Sequence, residues 1–417
     1  MTTELCKPSE CIGCGACARI CRCGAIAMVP DSDGFWIPIL DRQQCVDCGK
    51  CRSVCPILSP PSLSGRFTSP DLFACWNRNT DVRIASSSGG IFSVLAETVF
   101  LKNGVVYGAI FDSSLKTVIV RAENRSDLEK MRGSKYIEAD FRDVFEKISN
   151  DLEKGKTVLF SGTPCQNAAL NNILLAEKNK NAAFRLYQID FICHGVSSPS
   201  LWNSFVAAME KKYRSKLNGV FFRDKSIGGW KSPSLKFTFQ SRKDKFISWS
   251  TSFAHLENAF IACYHKNLIL RRSCHSCPFR NIPRLSDITL ADAQALYHHP
   301  DFRREARLGI SHVLTNTPKG KQLFDECSDK IVFQARPLAE AALPAPPAEP
   351  HILREAFLKD AEKLDFVPLF QKYRSSISHP FRLGTLINSF LKIILGHKAA
   401  LKMRELSEIL YQMAGRR

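Results

Sequence analysis

The sequence predicts an α+β protein: a small cysteine-rich domain at the N-terminus, a larger mixed α/β body and a helical C-terminal extension. Three observations carry that prediction. A cysteine run of fixed spacing occurs twice, at an offset of 34, within the first 56 residues. From residue 71 onward, apolar strand-like stretches alternate with helix-like patterns. Pro-rich segments at 56–70 and 338–350 divide the chain. Its 417 residues, 45% hydrophobic and 24% charged, give room for two or three domains with ordinary globular cores. No apolar leader region opens the sequence and no uninterrupted apolar run reaches membrane-spanning length, so a cytoplasmic protein is expected.

The runs CIGCGACARIC (11–21) and CVDCGKCRSVCP (45–56) both read C-x2-C-x2-C-x3-C. This is the bacterial ferredoxin spacing for two [4Fe–4S] clusters, in which the fourth cysteine of each run crosses to the other cluster. The expected ligand sets are therefore Cys11, Cys14, Cys17 and Cys55 for one cluster, and Cys45, Cys48, Cys51 and Cys21 for the other. A pair of zinc sites is the plainer alternative, but three thiolates within seven residues, twice, suit a cubane better. The first run departs from the usual Cys-Pro ending and reads Cys21-Arg22-Cys23, so Cys23 competes with Cys21 as ligand. Between the runs, AIAMVPDSDGFWIPIL has strand-like halves around an Asp-Gly turn and predicts a hairpin. The DSDG stretch lacks the further ligands of a calcium loop.

Seventeen cysteines, an odd number, are many for a reducing compartment, and they point to metal or redox chemistry rather than disulfides. The formal charge is +18. Three clusters with their thiolates would lower it to about +12, still suited to an anionic cofactor, an acidic carrier protein or a membrane surface. No nucleic-acid reader motif accompanies the charge.

In the body, SSSGGIFSVLAETVFLKNG predicts a helix capped by Ser86–Ser88, with Gly89 and Gly90 allowing close backbone approach at a ready phosphate site. SDLEKMRGSKY reads as a helix ending at Gly133. KTVLFSGTPCQNAAL and FRLYQIDFICHG each read as a buried strand with a cysteine just past its end, Cys165 and Cys193. Open α/β sheets place their ligands there, although a single such thiol is more often inert. Residues 209–245 carry eleven Lys/Arg against three Asp/Glu, either a solvated sheet face or a docking surface for an anionic cofactor or carrier. Residues 266–284 add five more cations, no acid, and a Cys-x-x-Cys pair, Cys274 and Cys277.

The segments SSSGGIFS, RGSKYIEAD, LFSGTPCQ, DFICHG, FRDK followed by GW, and CHSCPFRNIPRLSDITLAD resemble, in this order, the coenzyme F-420 hydrogenase/dehydrogenase beta-subunit family. With the ferredoxin repeat the resemblance spans residues 6–325. It implies a ferredoxin domain at 1–58, a linker at 59–70, and one mixed α/β flavin and iron–sulfur catalytic domain. The N-terminal part of that domain is 71–155 and its C-terminal part is 156–335. The resemblance further implies that Cys165, Cys193, Cys274 and Cys277 hold a third [4Fe–4S] cluster, with zinc as the alternative. It places FAD or FMN near Ser87, Ser88, Gly89, Gly90, Gly133, Ser134 and Lys135, Lys135 pairing with a phosphate or offsetting charge on the reduced ring. His194 is the candidate proton donor. Where relatives continue Gly-Asp-Phe-Trp, this chain reads Ala291-Asp292-Ala293-Gln294, which leaves the acceptor open.

The implied activity is that of an oxidoreductase. It exchanges electrons with an electron-carrier protein (ferredoxin or flavodoxin) or a partner redox subunit, and with a small-molecule acceptor such as coenzyme F-420. The alternatives are a ferredoxin-dependent reductase of a glycan or isoprenoid precursor, or a non-catalytic electron-transfer subunit. An Ala/Pro linker at 336–350 precedes a helical basic extension at 351–417. Its last part carries nine Lys/Arg and two Asp/Glu from Gln371 onward, which suits either a peripheral membrane contact or packing on the body.

Overall fold

The cysteine repeat folds as two half-motifs around the expected hairpin. Helix α1 (Ala16–Ile20) and helix α2 (Lys50–Ser53) flank strands β1 (Ile26–Pro30) and β2 (Trp36–Leu40). The strands pair antiparallel from Ile26↔Leu40 to Pro30↔Trp36. Both short helices open on a left-handed glycine, Gly15 at φ 73° and Gly49 at φ 69°, a conformation that a Cβ disfavours. The structure, a computed structural model, describes residues 4–377 except 178–183, 227, 232, 241, 248–254, 342 and 344–347.

The body is built in chain order from β3 (Asp71–Asn77), α3 (Thr80–Ile84), α4 (Ile91–Leu101), β4 (Val105–Phe111), β5 (Thr117–Ala122) and α5 (Arg125–Met131). There follow α6 (Val144–Glu153), β6 (Val158–Ser161), α7 (Pro164–Ala176) and β7 (Leu186–Phe191). An inserted unit comprises α8 (Pro199–Tyr213), β8 (Leu217–Asp224), β9 (Ser234–Phe239), β10 (Arg242–Ile247) and α9 (Leu256–His265). The chain then returns through β11 (Ile288–Asp292), α10 (Glu305–Leu308), β12 (Ser311–Thr315), α11 (Pro318–Asp325) and β13 (Ile331–Arg336). It continues into α12 (Arg354–Ala361) and α13 (Phe366–Ile377).

Among the described residues the main sheet has the order β13-β3-β12-β11-β7-β6-β4-β5. Its centre, β4, β6, β7 and β11, is parallel, and the flanking pairs are antiparallel. Alternate residues of the central strands enter opposite cores, as the period of two requires. Val106 and Leu159 face the core shared with α4, α5 and α11, whereas Val105, Tyr107, Val158 and Phe160 face α6 and α7. Cys14, Ala16 and Val54 of the ferredoxin part join the second core. Arg19 pairs with Glu177 of the body at 3.3 Å, and Asn172 donates to the Ser59 carbonyl at 2.8 Å. The segment 59–70 is tied down as well, the Phe67 amide donating to the Asn316 carbonyl at 2.8 Å. The ferredoxin part is thus packed on the body.

The inserted unit wraps β8–β10 and α8–α9 around a core that also takes Phe357, Phe366, Leu369, Phe370 and Ile377. Residues 351–377 therefore belong to the body's packing, because the apolar faces of α12 and α13 have this core to cover. Residues 378–417, which include the expected membrane contact, lie outside the described residues. No described helix is long and apolar enough to cross a membrane.

Candidate functional site: a chain of thiol cavities ending in a cleft

The inner ferredoxin set is assembled as the spacing predicts. Cys11, Cys14, Cys17 and Cys55 line one cavity of about 20 Å³, together with Cys51 and Cys6. The outer set lies toward solvent. Cys48 and Cys23 are exposed, and Cys21 and Cys45 are half-buried. The Cys51 thiol is pushed up by burial and then by the neighbouring Cys48 and Cys21. Cys45 accepts from the Asp47 amide at 3.5 Å.

The four body cysteines, up to about 110 residues apart in sequence, meet in a second cavity of about 40 Å³. Pro164 opens α7, and a capping box between Thr163 and Gln166 fixes its first turn, which carries Cys165. Cys193 follows the end of β7, and Cys274 and Cys277 sit on the short turns at Arg272–Ser276 and Pro278–Arg280. Burial, then the neighbouring thiols, pushes Cys193 up to about 12. Burial alone leads the rise of Cys274 to about 11. A positive metal centre reverses that preference by taking thiolates as ligands. Three buried cations, Arg271, Arg280 and Arg284, line the same cavity and suit the negative charge of four thiolates. Arg284 is held by Asp190 at 2.8 Å, and Arg280 donates to the carbonyls of His194 and Cys274 at 3.0 and 2.9 Å.

Among the described residues, no three His, Cys, Asp or Glu side chains converge tightly enough for a single ion. Zinc draws its sulfurs to about 2.3 Å of one point, whereas these thiols surround cavities. A cluster of several irons fits that arrangement better.

A cleft of about 380 Å³ opens at the C-terminal ends of β6, β7 and β11, where open α/β sheets receive ligands. Ser86, Ser87, Ser88, Gly90, Gly133, Ser134, Lys135 and His194 all line it. Thr117 lines it too, buried with its hydroxyl unpartnered. A mid-sized pocket with apolar walls (Ile91, Ile119, Met131, Leu290), several hydroxyls and the start of an eleven-residue helix fits a phosphate-bearing flavin.

Several expectations change in detail. The cap of α4 is Gly90, left-handed at φ 82°, with no side-chain cap bond. The serines act elsewhere: Ser87 bonds Ser134 at 2.9 Å and Ser88 donates to the Ile310 carbonyl at 2.8 Å. Gly89 does not line the cleft. Its amide donates to Ser311 Oγ at 2.9 Å, and a Cβ there would stand 2.4 Å from the Cys75 carbonyl oxygen. It is glycine because β3 and β12 press against it. The Lys135 ammonium is engaged by four carbonyls at the end of α5, those of Lys130, Met131, Arg132 and Gly133, at 2.9–3.3 Å. Burial pulls it down to about 7, while the helix C-terminus favours its charged form.

His194 Nε2 lies 2.7 Å from Asn267 Oδ1. Asn267 Nδ2 is already donating to the Glu349 carbonyl, so Nε2 carries the hydrogen and Nδ1 is the ring's acceptor. Burial holds its pKa below the usual histidine value. The neutral ring is therefore an acceptor at pH 7 and not the expected proton donor.

Other cleft residues went unassigned in the sequence. Arg132 bonds Ser93 at 3.0 Å, and Arg223 pairs with Asp292 at 2.7 Å. Tyr264 donates to the Gly195 carbonyl at 3.2 Å. FRDK was the signal for two of them. Its Arg223 enters the cleft, while its Lys225 clamps the serine loop through the carbonyls of Ser88 and Leu308, at 2.7 and 2.6 Å.

These sites share walls. Ile12 lines both the inner ferredoxin cavity and the body thiol cavity. Thr163, Ile192, Cys193, Gly195 and Val196 line both the body cavity and the cleft.

Comparison with known proteins agrees with this arrangement. Residues 155–341 match the family described as the C terminus of the coenzyme F420 hydrogenase/dehydrogenase beta subunit. Residues 10–57 match the 4Fe-4S dicluster domain. No curated protein matches the chain. Among solved structures, a chain of the F420-reducing [NiFe] hydrogenase complex from Methanosarcina barkeri is similar at 15% identity and a TM-score of 0.45, over 76% of this chain and 94% of that one. The chain belongs to the coenzyme F-420 hydrogenase/dehydrogenase beta-subunit family and carries a 4Fe-4S dicluster domain ahead of that module.

Proposed function

We propose that this chain is a cytoplasmic iron–sulfur flavoprotein oxidoreductase. It exchanges single electrons with a low-potential carrier protein, or a partner redox subunit, and electron pairs with a small anionic acceptor of the coenzyme F-420 kind. The observation that supports this most is the unbroken series of adjoining sites from the exposed thiols at Cys45 and Cys48 to the cleft. Each neighbouring pair of cavities is separated by a residue common to both walls.

A flavin in the cleft supplies the conversion between one-electron and two-electron chemistry. Ser86, Ser87, Ser134 and the amide end of α4 are the groups that hold its phosphate, and Arg132 adds a cation on the same wall. Lys225 keeps the serine loop in place, and Lys135 closes α5 beside it. Arg223 offers a charge for an anionic acceptor, its orientation set by Asp292.

Anaerobic purification followed by iron, sulfide and flavin analysis tests the reading. About twelve irons, matching sulfide and one flavin are expected for three [4Fe–4S] clusters. About eight irons without flavin indicate a plain electron-transfer protein, and zinc without sulfide ends the redox reading. Stopped-flow mixing of the reduced protein with coenzyme F-420 then tests the acceptor: no hydride transfer removes it.

A further inference from the structure

Five cysteines stand outside the three ligand sets. Cys75, Cys263 and Cys327 are enclosed in hydrophobic cores, and Cys327 is bonded to the Leu323 carbonyl at 3.2 Å. They behave as small apolar side chains. Cys6 and Cys23 are different, because each stands against one of the two crossing ligands.

Cys23 Sγ lies 3.6 Å from Cys21 Sγ. Cys6 hydrogen-bonds Cys55 and lines the same cavity. The other six ferredoxin ligands sit on the tight glycine-opened turns, three per half-motif. Only the crossing corner is reached from the other half, and that corner is doubled at both sites. The environments match as well. Backbone amides of Ala25 and Val46 donate to Cys23, and those of Ile57 and Leu58 donate to Cys55. Amide donation to sulfur is a general feature of cluster surroundings.

We infer that Cys6 and Cys23 are second thiols for the crossing corners of the inner and outer ferredoxin clusters, so that each corner iron is held by either member of a pair. This rests on the cluster reading above. The exchange balances without a redox partner. One iron–sulfur bond to Cys55 breaks and one to Cys6 forms, and the proton lost by Cys6 is taken by Cys55. No electron is gained or lost. The same holds for Cys21 and Cys23. The consequence is that damage to one thiol of a pair does not cost the cluster.

The test compares Cys55→Ala, Cys21→Ala and the double variants Cys6→Ala/Cys55→Ala and Cys21→Ala/Cys23→Ala, purified anaerobically beside the unmodified protein. Each single variant should keep its iron, with altered electron paramagnetic resonance g-values after reduction. Each double variant should lose roughly four irons. Loss of four irons from either single variant, or retention of all iron by either double variant, overturns the inference. A measurement on the unmodified protein guards against folding failure. Brief iodoacetamide treatment and mass spectrometry should find both members of each pair labelled in part, and label confined to Cys6 and Cys23 overturns it. Absence of iron from the unmodified protein would instead defeat the cluster reading itself.

Discussion

Arg271→Met should loosen the join between the ferredoxin part and the body more than any other single truncation at that interface. The Arg271 side chain is 4% exposed and its Glu138 partner 9%. Its Nε donates to the Cys11 carbonyl at 2.7 Å, one terminal nitrogen donates to the Trp36 carbonyl at 2.7 Å, and the other meets Glu138 at 2.6 Å. The second Glu138 oxygen already lacks a partner. Removing the guanidinium therefore strands a buried carboxylate, at a cost of about 3–5 kcal/mol for breaking such a pair. Glu138→Gln removes the stranded charge, so in the double variant the loss should be smaller than the sum of the single losses by roughly 2 kcal/mol, as coupled neighbours show.

The assay is anaerobic urea unfolding of the four proteins, followed by circular dichroism. The pH dependence gives a second readout. Burial, against the opposing effect of Arg271, raises the Glu138 pKa, and losing Arg271 raises it further. A carboxyl with a raised folded pKa loses stability as pH rises above its unfolded value, so the Arg271→Met deficit should shrink as the pH falls toward about 4.3. Additivity of the two single losses within about 0.5 kcal/mol, or a deficit that grows on acidification, would refute the argument.

Cys274→Ala should remove roughly four irons and leave the ferredoxin clusters in place, and retention of all iron would break the body ligand set. Lys225→Met frees the serine loop from carbonyls on two segments; the flavin-to-protein ratio should fall while iron stays constant, and an unchanged ratio would show that the clamp is not needed. Gly89→Ala forces a Cβ against backbone atoms of Cys75 and Ser311 at 2.4 and 2.8 Å. It should destabilise the body by about 1–3 kcal/mol in urea unfolding. His312, buried in β12, is held down to about 4 chiefly by burial. The unfolded chain binds the proton first, so stability is lost as pH falls below about 6.5, amounting to about 1.4 kcal/mol at pH 5.5. That increment should vanish in His312→Gln.

The parts of the site that were legible in the sequence are those whose chemistry is encoded in local spacing. Three thiolates on one glycine-opened turn need no tertiary information, so the ferredoxin ligands could be placed by counting. Cys165 and Cys193 were legible for a related reason: a buried parallel strand has one end at which a ligand is accessible, and each thiol lies just past it. What spacing does not encode is the partner of a long cation or the far side of a glycine. Gly89 looks like a phosphate glycine, yet its constraint comes from Cys75 and Ser311, 14 and 222 residues away. Lys135 looks like a phosphate lysine, yet its position two residues after Gly133 already put it within reach of the α5 carbonyls, the C-terminal interaction that local sequence does allow. Cys6 belongs to no run and reaches its cavity only because the N-terminal segment folds across Cys55. The segment 266–284 shows how a composition signal can be read further. Five cations without one acid suggest a docking face if all point outward. But a segment that also supplies two buried thiolates must bring compensating charge inward, and three of its five cations, Arg271, Arg280 and Arg284, line the thiol cavity. Acid-free cation density beside a Cys-x-x-Cys is thus better read as the site's own counter-charge than as a surface for a partner.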